Sequence, residues 1–224
     1  SIALWGFSTS VLSPFIAPYI TASDGIGAPN AWLGIMNAIT QLAVAATATS
    51  WGMLADRFGR KPVVLLGALH PLVWVSYFFL TPNNYVYILP IAALALGLLA
   101  PGINGGAEQL MLTLATARNR TAYVAWYVAI AGSVPAVGAL LGGLLSDALK
   151  GFALPLGPIT VRGFQVMTLV CFALVLGSFF LLARIREGRE KPMGFVLSQI
   201  ATPSIFRTFL NIGVLGRPEA PDEM

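Results

Sequence analysis

Charge is what this 224-residue sequence has least of. Asp, Glu, Lys and Arg together make up 10% of it, against 57% hydrophobic residues. A soluble domain carries about 25% charged residues, because its surface has to stay in water. A chain with less than half of that cannot cover itself with polar side chains and must face lipid. That excludes a cytosolic enzyme, a nucleic-acid-binding module and a disordered scaffold. Cysteine is nearly absent: the single Cys171 lies in an apolar run, so the sequence offers no internal disulfide and no thiolate metal site. Histidine is equally scarce, with His70 standing alone beside Pro71, a setting that suits a packing residue. No cluster of His, Cys or carboxylates has metal-ligand spacing, and no Ser-His-Asp grouping or phosphate loop occurs. The sequence therefore offers no catalytic chemistry and calls for no cofactor. It opens at Ser1 with neither Met nor a charged n-region, the start expected of a cut inside a longer polypeptide.

Long apolar runs are what the sequence has in abundance. A spanning helix needs about 20 mostly apolar residues, and six segments qualify: 3–22, 32–54, 63–80, 85–114, 123–145 and 164–183. The fourth is too long for one straight span and carries Pro101-Gly102 at its middle, where a kink is expected. Turn signals separate the runs at Asp24-Gly25, Pro82-Asn83-Asn84 and Leu156-Gly157-Pro158. Assigning loops alternately to the two membrane faces places only Lys150 and Arg162 on one side. The other eleven Lys and Arg, of thirteen, fall opposite. Positive residues collect on the cytoplasmic side, so both ends of the chain are expected there, and the net charge of +4 reflects topology rather than an acidic partner. The sequence divides into a transmembrane domain over 1–191 and a tail over 192–224. Within the tail, Ile205, Phe206, Phe209 and Leu210 follow Thr202-Pro203 as a short amphipathic helix that either lies on the inner membrane surface or packs against the body.

Between the second and third runs the sequence reads Gly52-Met-Leu54-Ala-Asp56-Arg57-Phe-Gly59-Arg60-Lys61. Gly52 is small enough to admit a close neighbour. Asp56, placed just past the helix end, can accept from an adjoining helix N-terminus. Gly59 permits a tight turn, and Arg57, Arg60 and Lys61 offer donors to carboxylates or lipid phosphates. The pattern closely resembles G-x-L-x-D-R-x-G-R-[KR], the signature loop of the major facilitator superfamily of secondary transporters, and the six-run layout resembles one half of such a protein. The resemblance implies an all-α polytopic membrane protein, a six-helix half-bundle built of inverted three-plus-three repeats. Consistent with repeats, Gly52-x-Leu54-x-Asp56 recurs three helices later as Gly143-x-Leu145-x-Asp147. It also implies that the loop of Gly52, Asp56, Arg57, Gly59, Arg60 and Lys61 is a conformational latch. Where the family's N-terminal half has an Arg three residues before an Asn-Gly pair, this chain has Pro101 before Asn104-Gly105. Gly138-Ala139-Leu-Leu-Gly142-Gly143 lacks the proline of the antiporter motif. Both departures favour a C-terminal half and count against drug:proton antiport.

The resemblance implies transport of a small solute by alternating access, in a bacterial inner membrane. Its partners would be the lipid bilayer, the solute and a second six-helix half in the same polypeptide or a separate chain, with no nucleic acid. Glu108 is the one carboxylate inside a span, where an ionisable group is costly. It is either a proton or solute site in the cavity or a partner of Arg57 or Arg120 in the latch. Asn104 shares its helix face, as Asn37 and Gln41 share one on the second helix, and these pairs serve helix packing or a ligand. Trp5 would border the cavity if the family layout holds. The glycine pairs Gly102/Gly106 and Gly138/Gly142 are expected at helix contacts. The rival readings are a non-transporting assembly or scaffold subunit, a six-helix half that works as a dimer and, third, a membrane enzyme.

Overall fold

A computed structural model describes residues 2–115, 119–156 and 159–184; the tail expected over 192–224 lies outside them. Its helices are α1 (Ile2–Thr21), α2 (Ala31–Phe58), α3 (Arg60–Gly67) continued by a 3₁₀ stretch (His70–Phe79), α4 (Tyr85–Leu114), α5 (Arg120–Ala148) and α6 (Gly163–Ala183). These make the six expected bodies. Five of them are long and apolar enough to cross a membrane. The exception is α1, which at 20 residues reaches about 30 Å but dilutes its apolar residues with Ser8, Thr9, Ser10, Ser13, Pro14 and Pro18. It holds its place by packing along α5 and α6.

Three features differ from the sequence expectation. No breaker interrupts Ala55-Asp56-Arg57-Phe58, so α2 runs on to Phe58, and Asp56 belongs to its last turn rather than to the loop beyond. The third body is not one α-helix, because Pro71 has no N–H to continue the ladder. Between α5 and α6 the chain forms an antiparallel hairpin, β1 (Ala153–Leu156) and β2 (Ile159–Arg162), with Ala153 opposite Arg162 and Leu156 opposite Ile159. The β-branched run Ile159-Thr160-Val161 suits a strand. Arg162 Nη1 donates to the Asp24 carbonyl at 2.6 Å, Gln165 Nε2 donates to the Tyr19 hydroxyl at 3.2 Å, and Tyr19 stacks on Phe164 at 3.7 Å. The hairpin is thus tied to the end of α1.

The helix partners reveal the repeat. α1 packs on α5 and α6, while α4 packs on α2 and α3. Moving each helix three places along the chain turns one set into the other, as inverted repeats require. Among the described residues three buried clusters fill the bundle, one around Leu12, Trp74, Tyr77, Leu89, Met167 and Val175, one around Val64, Ile103, Leu110 and Leu182, and a smaller one around Leu54, Phe58 and Val63 where α2 meets α3. Outward, large apolar side chains such as Leu42, Ile91 and Leu140 stay about 70% exposed, the surface a lipid environment accepts.

Between membrane helices there is no water to expel, so contact depends on close packing of small residues. The glycine pairs supply it. A methyl on Gly138 would sit 2.6 Å from the Phe7 carbonyl of α1, and one on Gly106 would sit 2.8 Å from Val64 of α3. Gly138→Ala should therefore lower the thermal unfolding midpoint in detergent by an overpacking cost of about 1–3 kcal/mol. Gly132→Ala, where an added methyl meets nothing within 4 Å, should leave it unchanged or slightly raise it, since Ala is the better helix former by about 1 kcal/mol. Equal midpoints for the two variants would contradict the α1–α5 contact.

Candidate functional site

One face of α1, one of α4 and one of α5 enclose two adjoining cavities. The first, of about 360 Å³, is lined by Trp5, Thr9, Asn104, Glu108, Tyr127 and Pro135 among others. The second, of about 640 Å³, shares Ile2, Ala3, Tyr127 and Ala131 with it and continues past Leu110, Met111, Tyr123, Trp126 and Ile130. Together they form a groove that is polar at one end and aromatic at the other. Among the described residues Glu108 is the sole acidic side chain lining either cavity, and it is exposed, as is Asn104 beside it.

Trp5, Asn104 and Glu108, three of the five residues singled out for a cavity, therefore meet in one place. Asn37 and Gln41 do not join them. α2 packs on α4 by the face carrying Thr40 and Ala43, where Thr40 Oγ1 donates to the Ala93 carbonyl at 3.1 Å. Asn37 and Gln41 are exposed on α2 and line neither cavity. The aromatic end was not among the expected site residues. Its signal was present as Tyr123, Trp126, Tyr127 and Ile130, which the i, i+3, i+4, i+7 spacing puts on one face of α5. Thr9 and Ser10 were missed as well, being ordinary hydroxyls in an apolar run. Trp5 is no simple wall residue either: its indole Nε1 donates to the Ala68 carbonyl at 3.2 Å, and its ring meets His70 edge-on at 5.2 Å.

The loop from α2 to α3 is tighter than expected. Only Gly59 separates the two helices, and its φ of 97° lies in the left-handed region while its N–H donates to the Ala55 carbonyl at 3.0 Å. Asp56 and Arg57 are exposed in the last turn of α2, and the Arg57 guanidinium lies 5.3 Å from the centre of the Phe58 ring. Arg60 and Lys61 open α3 and are half-buried. Gly52 needs correction: a methyl there would meet nothing within 4 Å, so among the described residues its small size serves no close approach. Gly59→Ala puts a β-carbon into a backbone region, φ 97° and ψ 160°, that is essentially reserved for glycine and costs about 1–3 kcal/mol. It should lower the unfolding midpoint, whereas Gly52→Ala should not; the same thermal melts check both.

The sequence profile of the Major Facilitator Superfamily matches residues 1–216. Among characterised proteins, the chain is 33% identical over 195 residues to the multidrug resistance protein MdtG of Dickeya zeae, covering 84% of this chain and 44% of that protein. It is 31% identical over 194 residues to MdtG of Citrobacter koseri, covering 85% and 45%. With MdtG of Yersinia enterocolitica it shares 34% identity over 147 residues. The chain spans less than half the length of these relatives. No solved structure matches it significantly. With its six helices in two three-helix repeats, its signature loop and this match along nearly its whole length, the chain is an integral membrane protein that belongs to the major facilitator superfamily of transporters.

Proposed function

We propose that this chain is one six-helix half of a secondary transporter that moves a small lipophilic cation by alternating access, with α1, α4 and α5 forming one wall of the path. The observation that carries the reading is the groove in which a single carboxylate, Glu108, adjoins an aromatic trough of Tyr123, Trp126 and Tyr127. An aromatic lining accepts apolar surface of many shapes, and its ring faces attract a cation. One carboxylate at membrane depth favours a positive charge and is costly without one. The naming of the MdtG relatives as multidrug resistance proteins agrees with a loosely specific apolar site.

The other wall would come from a second six-helix half, in the same polypeptide or another chain, and the energy from an ion or solute gradient. The distribution of Lys and Arg supports an inner membrane with both ends cytoplasmic. The loop from Gly52 to Lys61 then lies at the cytoplasmic face, where the exposed Asp56 and Arg57 are available to hold one conformation against the other half.

Reconstituted full-length transporter should take up tetraphenylphosphonium saturably. Glu108→Gln should raise KM for this cation about tenfold, the worth of one charge-assisted contact, while uptake of a neutral solute of similar shape changes little. If Glu108 also carries the coupling proton, the variant loses the pH dependence of uptake. Unchanged KM and pH dependence would remove Glu108 from the site, and no saturable flux of any solute would favour the scaffold reading.

A further inference from the structure

Prolines interrupt helix ladders at several places inside this bundle, and beside two of them, Pro71 and Pro101, an indole from another helix donates to a backbone carbonyl. Pro71 has no N–H for the Gly67 carbonyl, four residues back; His70 Nδ1 lies 3.3 Å from that oxygen and supplies the donor in its Nδ1–H tautomer. One residue further on, the Leu72 N–H turns to Leu69 at 2.9 Å instead of Ala68. The Ala68 carbonyl thereby loses its ladder partner, and it is the one that accepts from Trp5 Nε1. The His70 ring sits between Trp5, at 5.2 Å, and Trp74, at 6.2 Å. From this point to Phe79 the chain is 3₁₀, a ten-residue run of a geometry seldom kept beyond three or four residues and associated with hinges.

In α4, Pro101 likewise has no N–H for the Gly97 carbonyl four residues back, and Trp51 Nε1 of α2 donates to the adjoining Leu98 carbonyl at 2.7 Å, pinning α2 to the proline turn. The two interruptions touch. A methyl on Gly102 would lie 2.9 Å from the Trp51 ring and 3.1 Å from Gly67 Cα. The end of α3 and the proline turn of α4 therefore press together through glycines, with an indole on either side. Asn104, two residues past Gly102, lines the same cavity as Trp5.

We propose that Trp5 and Trp51 are positioning residues for the transport cycle. Their indole N–H groups hold the two touching proline breaks of α3 and α4, and Trp5, whose ring lines the solute cavity, transmits occupancy of that cavity to the break at Ala68. The bracing rests on geometry alone, whereas the transmission rests on the cavity reading above. In lipid no water replaces a lost donor, so removing the Trp5 N–H leaves the Ala68 carbonyl to be satisfied by rearrangement, while removing the Trp51 N–H deletes the bond that pins α2 to the Pro101 turn; in either case the break is freed to change shape.

The test uses the full-length transporter in proteoliposomes with Trp5→Phe and Trp51→Phe, each of which keeps an aromatic ring and deletes the donor. Three readouts are needed: tetraphenylphosphonium binding, its turnover, and amide hydrogen exchange over residues 66–73 and 97–103. One hydrogen bond corresponds to about a fivefold to tenfold change in an opening equilibrium, so exchange should rise by that factor in 66–73 for Trp5→Phe and in 97–103 for Trp51→Phe. At saturating cation kcat falls in both variants, with binding retained in Trp51→Phe, and the cation alters exchange of 66–73 in the wild type but not in Trp5→Phe. Wild-type exchange and kcat in both variants would overturn the proposal. Raised exchange without any effect of the cation on 66–73 would overturn the transmission. A wild type that does not bind the cation would defeat the cavity reading and the transmission with it, while the exchange data still decide the bracing. Should Trp5→Phe fail to fold, Trp51→Phe, outside the cavity lining, decides the bracing by the same measurement.

Discussion

Every backbone N–H and C=O inside a bilayer has to find its partner within the protein, since there is no water to take its place. This chain strains that constraint, with prolines inside α1, α4 and α5 as well as after α3. Its polar side chains are distributed accordingly. Ser8, Thr47, Ser133 and Thr168 turn back to carbonyls of their own helices at 2.6–2.9 Å. Thr40, Trp5 and Trp51 reach carbonyls on neighbouring ones. Polar groups that bond locally can face lipid or core without penalty; those that reach across fix how two helices meet. Among the described residues the exposed Asn104 and Glu108 then stand out as polar side chains lining the groove.

The same constraint shapes the architecture. Helices that cannot be driven together by expelled water meet through small residues, and the glycines of α4 and α5 bring backbones nearly into contact. Such contacts are stiff along their length, so motion is confined to places where the ladder is already broken. Two such places touch: Gly67–Leu69 at the end of α3 in the first repeat and Pro101–Gly102 of α4 in the second. Under the proposed alternating access, bending there would keep the Gly138 and Gly142 contacts with α1 intact.

Much of this was legible in the sequence because composition leaves little freedom. The apolar runs marked the six bodies to within a few residues, Gly-x-Leu-x-Asp announced the repeat, and the Gly138/Gly142 spacing marked a helix contact on α5 without saying that α1 makes it. Other features were hidden for physical reasons. Trp5 serves a carbonyl 63 residues away, and no local pattern encodes that. The face of Tyr123, Trp126 and Ile130 was masked because α5 is apolar all round, so periodicity cannot tell a cavity from lipid. Asn37 and Gln41 shared a face, but which neighbour that face meets depends on how α2 docks on α4. The strands flanking residues 157–158 were obscured because the turn signal there predicts a loop without saying that its arms pair.

The central claim is that the groove between α1, α4 and α5 is the solute path, and a cysteine at Ala131, which borders both cavities, tests it most directly. The Cys171 of this half is buried, so with cysteines elsewhere in the transporter replaced, maleimide labelling of Ala131→Cys has little background, and Leu169→Cys on the exposed side of α6 is the control. The account predicts that labelling at 131 stops tetraphenylphosphonium flux, that the cation slows this labelling, and that labelling at 169 does neither. Complete modification at 131 with flux intact would contradict it.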